Sequence, residues 1–261
     1  MQHHENAVII EATARMIPRH YPHAPITEAV ISLGCQSPSE CTLEDLLQIH
    51  ALLKMDYPKY APQFKMQFEV DRAEPKGTIS PPETTGYQWL SGDGRRIVRL
   101  ALDEFAFSQL APYDRWETLY AEAKRIWDAY ELVLHPKCVN RVAVRFINRI
   151  DIPDPEGKGV DLDIYFRLAP RIPPELPQVM RTYFVRLELP LQERNGILIV
   201  TQTAVPPPLP GLVSAILDLD VIMQGIEMDT VTAWRTVEEL RDQKNVAFEA
   251  SITDAARELF K

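Results

Sequence analysis

Charged and apolar residues alternate along residues 141–153, near the middle of the chain. Because alternate side chains of a β-strand point to opposite faces, one face of this predicted strand carries Arg141, Arg145 and Arg149 and ends at Asp151. Guanidinium groups bind carboxylates and phosphates through paired, planar hydrogen bonds. The spacing therefore favours a surface that holds an anionic or polar ligand, with Arg145 and Arg149 as its donors.

The same alternation recurs in other predicted strands, which also carry charged residues on one face. These residues are Arg99, Arg186, Glu188, Asp218 and Asp220. One interpretation is a solvated sheet face with cross-strand ion pairs, each worth less than about 1 kcal/mol. The other is a partly buried polar surface that binds a ligand. The aliphatic residues between the charges, such as Ile147 and Ile216, favour partial burial.

Asn148 lies on the other face of the 141–153 strand, among Val144, Phe146 and Ile150. A buried amide without hydrogen-bond partners costs on the order of 1–3 kcal/mol. We therefore expect Asn148 to tie the strand to the backbone of a loop. The alternative is that Asn148 contacts a ligand at the place where two halves of the chain meet.

Asp218 and Asp220 lie two residues apart, so their carboxylates point the same way from a strand. With Glu188 they would suit a divalent metal, which indicates as an alternative a metal-assisted enzyme acting on a small anionic or nucleotide-like substrate. The chain contains no phosphate-binding glycine loop, zinc-ligand spacing or nucleophile motif. His20 and His23 have no third ligand close in the sequence. We therefore expect no metal and no cofactor.

Hydrophobic periodicity places these residues on strands that alternate with helices. Predicted strands cover residues 29–35, 86–91, 95–102, 104–110, 141–153, 181–189, 196–205 and 212–223, and predicted helices cover 5–17, 42–55, 115–134, 161–168, 230–245 and 254–260. Thr42, Asp114 and Thr253 are expected N-caps, and the G-D-G at 92–94 predicts a hairpin turn. Residues 56–85, rich in Pro, Lys and Glu, are predicted to form a long connection.

Residues 29–135 and 141–250 show the same order of elements: strand, helix, three strands and helix. This order predicts an α+β fold of mainly antiparallel sheet with packed helices, built from two similar halves at about 20–138 and 139–261. Only residues 136–140 separate the long helix from the central strand, so we expect a single domain over 20–261. Residues 1–19 are expected to form a helical extension.

The composition restricts the class of protein. The chain has 261 residues, 46% of them hydrophobic, and a net charge of −9, which argues against general binding to nucleic acid or acidic membranes. Three cysteines without a C-x-x-C pair indicate a reducing compartment. Neither a signal peptide nor an apolar stretch long enough to span a membrane is evident. We therefore expect a soluble cytoplasmic protein.

Several segments of the chain resemble one family when they are taken together. They are P-I-T-E-A-V at 25–30, S-G-D-G-R-R-I-V at 91–98, F-S-Q-L-A-P-Y-D-R-W at 107–116, R-F-I-N-R-I-D-I-P at 145–153 and F-E-A-S-I-T at 248–253. They are similar to segments of a sporadically distributed prokaryotic family of proteins of similar length and unknown function. The resemblance runs from about Tyr21 to the end. It implies a self-contained bacterial or archaeal cytoplasmic protein and supplies no catalytic residues.

No pattern in the sequence indicates a reaction. We expect a non-enzymatic module that uses the arginine-bearing sheet face to bind a small anionic ligand or a protein partner. A homo-oligomer is an open alternative.

Overall fold

The computed structural model of the chain describes residues 19–65, 68–70, 77–79, 83–191 and 195–261. Its elements, in chain order, are β1 (Ile26–Gln36), α1 (Leu43–Leu53), β2 (Lys59–Lys65), β3 (Phe68–Val70), β4 (Gly77–Ile79), β5 (Glu83–Leu90), β6 (Arg96–Ala101), β7 (Glu104–Leu110), α2 (Trp116–Leu134), β8 (Cys138–Pro153), α3 (Leu162–Tyr165), β9 (Phe184–Leu191), β10 (Gly196–Val205), β11 (Leu212–Met228), α4 (Thr230–Ser251) and α5 (Asp254–Glu258). The α+β class predicted from the sequence is confirmed.

Within these residues, nine strands form one antiparallel sheet in the order β2-β5-β6-β7-β1-β8-β11-β10-β9, and β3 pairs with β4 apart from it. The predicted hairpin at 92–94 joins β5 to β6, with Gly94 at φ +72° where glycine is favoured. Ser91 closes this hairpin through backbone hydrogen bonds with Arg96 and Gly94. The long central strand is β8, and it lies between β1 and β11.

The helices α2 and α4 pack on one side of the sheet, called here the helix-covered face. A row of fully buried side chains crosses this face, in which Phe107, Ile31, Val144 and Val221 are directly opposite one another. Burial of each such side chain contributes roughly 2–3 kcal/mol. This face therefore supplies the core, and it leaves the alternate residues of the same strands for the other face.

Large side chains at helical spacing form a buried stripe on α2, which consists of Trp116, Leu119, Ile126, Trp127, Tyr130 and Leu134. Trp127 on this stripe packs edge-on against Phe105 of β7. The prediction that Asp114 caps the helix is wrong, because the N-cap residue is Arg115 and the Asp114 carboxylate accepts a hydrogen bond from Thr118 instead. The caps predicted at Thr42 and Thr253 are the N-cap residues of α1 and α5.

The order of strands is symmetric about the central pair β1–β8. Outward from this pair, the first half places β1, β7, β6 and β5, and the second half places β8, β11, β10 and β9. The halves differ elsewhere, because β2, β3 and β4 have no counterpart among the described residues and α1 has 11 residues against four in α3. That the halves are repeats of one another therefore stays a hypothesis.

The prediction that residues 56–85 form a connection without regular structure is wrong. They contain β2, β3, β4 and the start of β5, and β2 is an edge strand of the large sheet. Pro62, which indicated a loop, is tolerated there because an edge strand has one side without ladder hydrogen bonds. The predicted helix at 5–17 lies outside the described residues.

Two predicted helices have different lengths in the structure. The helix predicted at 161–168 spans only Leu162–Tyr165, because Phe166 is extended and forms a β-bridge with Ile252. The helix predicted at 230–245 continues to Ser251 as α4. Its buried positions include Ala247 and Phe248, which explains why the helix extends past the polar residues at 242–245.

Candidate functional site

The charged residues indicated by the strand pattern project from the side of the sheet opposite the helices, called here the open face. Arg145 is directly opposite Asp220, and Asp218 is directly opposite Thr201, which is opposite Arg186. Directly opposite residues of an antiparallel pair project from the same face. By the same register, Arg99, Arg149 and Glu188 also project from the open face.

Arg145 holds Asp218 in a two-bond ion pair between β8 and β11. Its Nε donates to Oδ1 at 2.9 Å and its Nη2 donates to Oδ2 at 2.6 Å. These hydrogen bonds to Asp218 raise the pKa of Arg145 above its ordinary value. The Asp218 side chain is only 13% exposed, so the pair is partly shielded from water and fixes the guanidinium in one orientation.

Asp220 lacks a hydrogen-bond partner for one of its oxygens although it is directly opposite Arg145. Arg145 turns to Asp218 instead, and Oδ1 of Asp220 is buried and accepts no hydrogen bond from the described part of the chain. Burial raises the pKa of this carboxyl above its usual value. A buried acceptor without a donor costs on the order of 1–3 kcal/mol. Asp220 is therefore an acidic group of the open face whose hydrogen bonding is incomplete within the described residues.

Arg149 forms hydrogen bonds to other groups of the protein. Its Nε donates to Asp151 Oδ1 at 3.0 Å, and its Nη2 donates to the carbonyl oxygen of Pro206 at 2.7 Å and to Ser214 Oγ at 3.3 Å. Ser214 in turn donates to Asp151. These contacts tie the end of β8 to β11 and to the loop that follows β10, so Arg149 has few donors left for a ligand.

Arg186 and Glu188 lie at the edge of the sheet, on β9. Both hydrogen bonds of their ion pair go to Glu188 Oε1, at 3.1 and 2.8 Å. The Glu188 side chain is 58% exposed, so this pair is a solvated contact of the kind that adds little stability. Of the two interpretations of the charged face, a solvated surface with ion pairs is therefore the better description of β9.

Three arginines, Arg99, Arg141 and Arg145, converge on a depression of about 400 Å³ in the open face. The rest of its lining is short or aliphatic side chains and carboxylates, namely Glu28, Val30, Ser32, Glu104, Ala106, Ile147 and Asp220. Short residues such as Ser32 and Ala106 make room for the depression, because the long arginine side chains lie beside and above them. We call this feature the arginine depression.

Arg99 and Arg141 form hydrogen bonds only to neutral groups among the residues that the structure describes, although Arg141 also interacts electrostatically with the Asp220 carboxylate. Arg99 donates to Gln88 Oε1 at 3.2 Å and to Ser108 Oγ at 3.1 Å, and Arg141 donates to Ser32 Oγ at 3.0 Å. A guanidinium has five N–H donors, so both retain donors that face the depression. A site with unpaired guanidinium donors and an unpaired carboxylate oxygen can bind an anion and a hydrogen-bond donor at once.

The arginine depression includes some predicted site residues and not others. Arg99, Arg145 and Asp220 line it, whereas Arg149, Arg186, Glu188 and Asp218 do not. Three charged lining residues, Arg141, Glu28 and Glu104, were not predicted as site residues. Arg141 belongs to the same arginine ladder as Arg145, and that spacing was the signal for it. Nothing in the sequence places Glu28 and Glu104 beside it, because this depends on how β1 pairs with β7 and β8.

Asn148 lies on the helix-covered face, away from the arginine depression. Its Nδ2 donates to the carbonyl oxygens of Leu217 at 2.9 Å and Phe146 at 3.3 Å. It therefore ties β8 to the neighbouring strand β11, whereas a loop was expected. Asn148 also lines a second cavity, of about 560 Å³, between β8, the start of α2, α4 and the segment before β1. We call this the Lys244 cavity, after the buried lysine of α4 in its lining.

The described residues contain neither a metal-ligand cluster nor a membrane-spanning helix. No group of three or more His, Cys, Asp or Glu side chains within the described ranges is arranged to hold a metal ion. The Asp218 carboxylate is occupied by Arg145, and Glu188 by Arg186. None of the described helices is long and apolar enough to cross a membrane.

Comparison with known proteins does not extend these observations. No protein-family model matches the chain, and no curated protein is significantly similar to it. The family resemblance drawn from the sequence segments therefore stays a prediction. The geometry of the two cavities is the basis for any statement about function.

Proposed function

We propose that this protein is a non-enzymatic binding module whose arginine depression holds a small polar ligand with an anionic group. The observation that carries this proposal is the convergence of Arg99 and Arg141, two guanidiniums that form hydrogen bonds only to neutral groups, on one depression of the open face. The unpaired Asp220 Oδ1 at the same depression favours a ligand that also carries a hydrogen-bond donor. An acidic amino acid combines both groups.

The roles within this site follow from the contacts. Arg99 and Arg141 bind the anionic group of the ligand through their unused N–H donors. Arg145 is positioned by Asp218 and contributes positive charge at a fixed place. Asp220, whose side chain lines the depression, accepts a hydrogen bond from the donor of the ligand.

The metal-assisted enzyme considered from the sequence has less support. That hypothesis required Asp218, Asp220 and Glu188 to share a site. Asp218 is engaged by Arg145 through both oxygens, and Glu188 is an exposed residue of the edge strand. Of these three residues, only Asp220 lines the arginine depression.

Titration calorimetry with glutamate and glutarate tests the proposal. Glutarate is glutamate without its ammonium group, so the difference between them reports the contact with Asp220. We expect glutamate to bind the wild-type chain more tightly than glutarate. Arg99→Gln and Arg141→Gln should each weaken glutamate about tenfold or more, as loss of a charge-assisted hydrogen bond predicts. Asp220→Asn should remove the preference for glutamate.

Arg186→Gln is the matched control, because Arg186 is an arginine of the same face outside the depression. It should leave binding unchanged. Equal weakening by Arg186→Gln and Arg99→Gln would contradict a local ligand site and would favour a protein partner that covers the whole open face. Absence of binding by both compounds at millimolar concentration would contradict the proposed ligand class.

A further inference from the structure

Lys244 is a buried cation on the helix-covered face, on the opposite side of the sheet from the arginine depression. Only 7% of the residue is exposed. Its Nζ lies 3.8 Å from the centre of the Phe146 ring and donates to Asn245 Oδ1 at 2.6 Å. No carboxylate of the described chain forms an ion pair with it. Buried ammonium groups are costly unless they are paired, so Lys244 lacks the counter-ion that its burial calls for.

The acidic residues around the Lys244 cavity are bound to other groups or are exposed. Both oxygens of Glu249 are occupied, by Tyr21 Oη at 2.7 Å and by Arg257 Nε at 2.9 Å. Asp114 accepts from Thr118, and Glu117 is exposed. The ionisable groups that face Lys244 or line the cavity are Arg241, Asp242 and Glu249 of α4, Tyr113, Asp114, Arg115 and Glu117 at the start of α2, and Arg19, His20 and Tyr21 before β1.

The cavity also has an aromatic wall. Tyr113 and Trp116 come from the start of α2, Phe146 from β8 and Phe248 from α4. Arg241 lies over the Trp116 ring at 5.6 Å. The volume of about 560 Å³ is within the range of roughly 300–1,000 Å³ that is common for small-molecule sites. Aromatic walls with a few convergent polar groups are typical of such sites.

We propose that the Lys244 cavity is a second ligand site, which binds a small organic carboxylate with a ring-shaped apolar body. The carboxylate pairs with the Lys244 ammonium and with the N–H donors of Arg241 that its ion pair with Asp242 leaves free. The ring packs among Tyr113, Trp116 and Phe248. Asn148 holds the β8 side of the cavity in place through its bonds to backbone carbonyls. This site is independent of the function proposed for the open face, because different residues on opposite faces form the two sites.

The protonation of Lys244 links this site to pH. Burial, with a smaller contribution from Arg241, lowers the pKa of Lys244 to about 7 in the free protein. A carboxylate favours the charged ammonium, so its binding raises this pKa. Affinity for a carboxylate should therefore be highest below pH 7 and should fall by up to about tenfold per pH unit above it.

Calorimetric titration with benzoate tests the assignment, and benzamide is the neutral ligand of the same shape. We expect benzoate to bind the full chain at about pH 6 and benzamide to bind at least about tenfold more weakly. Lys244→Met should weaken benzoate about tenfold or more and leave benzamide unchanged. Lys124→Met, which removes an exposed lysine of α2, is the matched control and should have no effect.

Three outcomes would overturn the assignment. They are benzamide binding as tightly as benzoate, unchanged benzoate binding in Lys244→Met, and no benzoate binding to the wild-type chain at millimolar concentration. If Lys244→Met does not fold, two other measurements test the assignment. They are the affinity of Arg241→Gln for benzoate and the pH dependence of the wild-type affinity. Equal affinity at about pH 6 and about pH 9 would exclude a carboxylate paired with Lys244.

Discussion

At the scale of residues, the two cavities differ in how their cations are held. Arg145 projects from the open face, is about half exposed, and is bound by Asp218 through two hydrogen bonds. Lys244 is almost completely buried and has an aromatic ring and an amide as neighbours. Charge on Arg145 is therefore supported by the protein itself, whereas charge on Lys244 opposes folding until a ligand neutralises it.

Replacement of Lys244 by Met should stabilise the protein without a ligand, on the order of a few kcal/mol at neutral pH and below. The folded-state pKa of Lys244 is about 7, against 10.5 for an ordinary lysine. The unfolded chain therefore binds more protons between these values, so wild-type stability rises with pH across this window. The gain in Lys244→Met should shrink over the same window and vanish above it.

Urea unfolding at about pH 6, 8 and 10 measures this effect. Lys124→Met provides the baseline, because Lys124 is exposed on α2 and its replacement should change stability little at any of these values. A Lys244→Met variant that is less stable than the wild type at about pH 6 would show that the contact of the ammonium with Phe146 outweighs its burial.

At the scale of elements, strand register decides which charged residues meet. Arg145 is directly opposite Asp220 but bonds to Asp218, its diagonal neighbour on β11. That choice leaves the Asp220 oxygen unpaired at the arginine depression. The helix-covered face enforces this register, because a slip by one residue would turn Val144 and Phe146 away from the core.

Gly86 restricts how closely neighbouring strands can pack. It lies on β5 at the shift in register between β2 and β5. A Cβ added at Gly86 would lie 2.2 Å from the carbonyl oxygen of Leu100, which is backbone and cannot move aside. We expect Gly86→Ala to destabilise the protein by about 1–3 kcal/mol through overpacking. Chemical denaturation measures the change in the free energy of unfolding.

Gly92→Ala is the control for this prediction, because a Cβ at Gly92 would meet no atom within 4 Å. It should leave stability nearly unchanged. Equal effects of the two substitutions would show that the contact with Leu100 is not responsible.

At the scale of the whole molecule, the sheet runs without a break from one half of the chain to the other. The central pair β1–β8 joins the halves, and one hydrophobic cluster includes Leu33 and Trp127 of the first half with Val221 and Leu240 of the second. The arginine depression also contains residues of both halves. That residues 20–261 form a single domain stays a prediction.

Separate fragments of about 20–138 and 139–261 should therefore not fold alone. Each would expose the long edge of β1 or β8 and part of the shared core. Circular dichroism and amide NMR spectra of the single fragments should indicate unfolded or aggregated chains, and mixing the two should restore native signals. Two fragments that each give a native spectrum would show that the halves are independent domains.

Much of the fold was predictable because alternation and helical spacing are local properties. The strand β1, the strands from β5 to β11, the helices α1, α2 and α4, and the antiparallel α+β class follow from these patterns. The edge strand β2 was harder to predict. Pro62 and the charged residues of 56–85 concealed β2, because an edge strand tolerates both.

The candidate sites were predictable only in part. The arginine ladder of β8 indicated one polar face, and the structure puts Arg99, Arg145 and Asp220 around one depression on it. Arg149 carries the same sequence signal as Arg145, yet it is bound by Asp151 and by the Pro206 carbonyl. Lys244 gave no signal, because a lysine within a polar helical segment looks solvent-exposed in the sequence.

The sequence by itself determined which side chains lie on each face of each strand and helix, because backbone geometry sets those periods locally. Only the tertiary structure decided which strands are neighbours, and so which arginines share a depression and which are paired. It also decided that α4 packs across Phe146 and buries Lys244 there. Both outcomes depend on contacts between residues about 70 to 120 positions apart, and such contacts are not encoded in any local pattern.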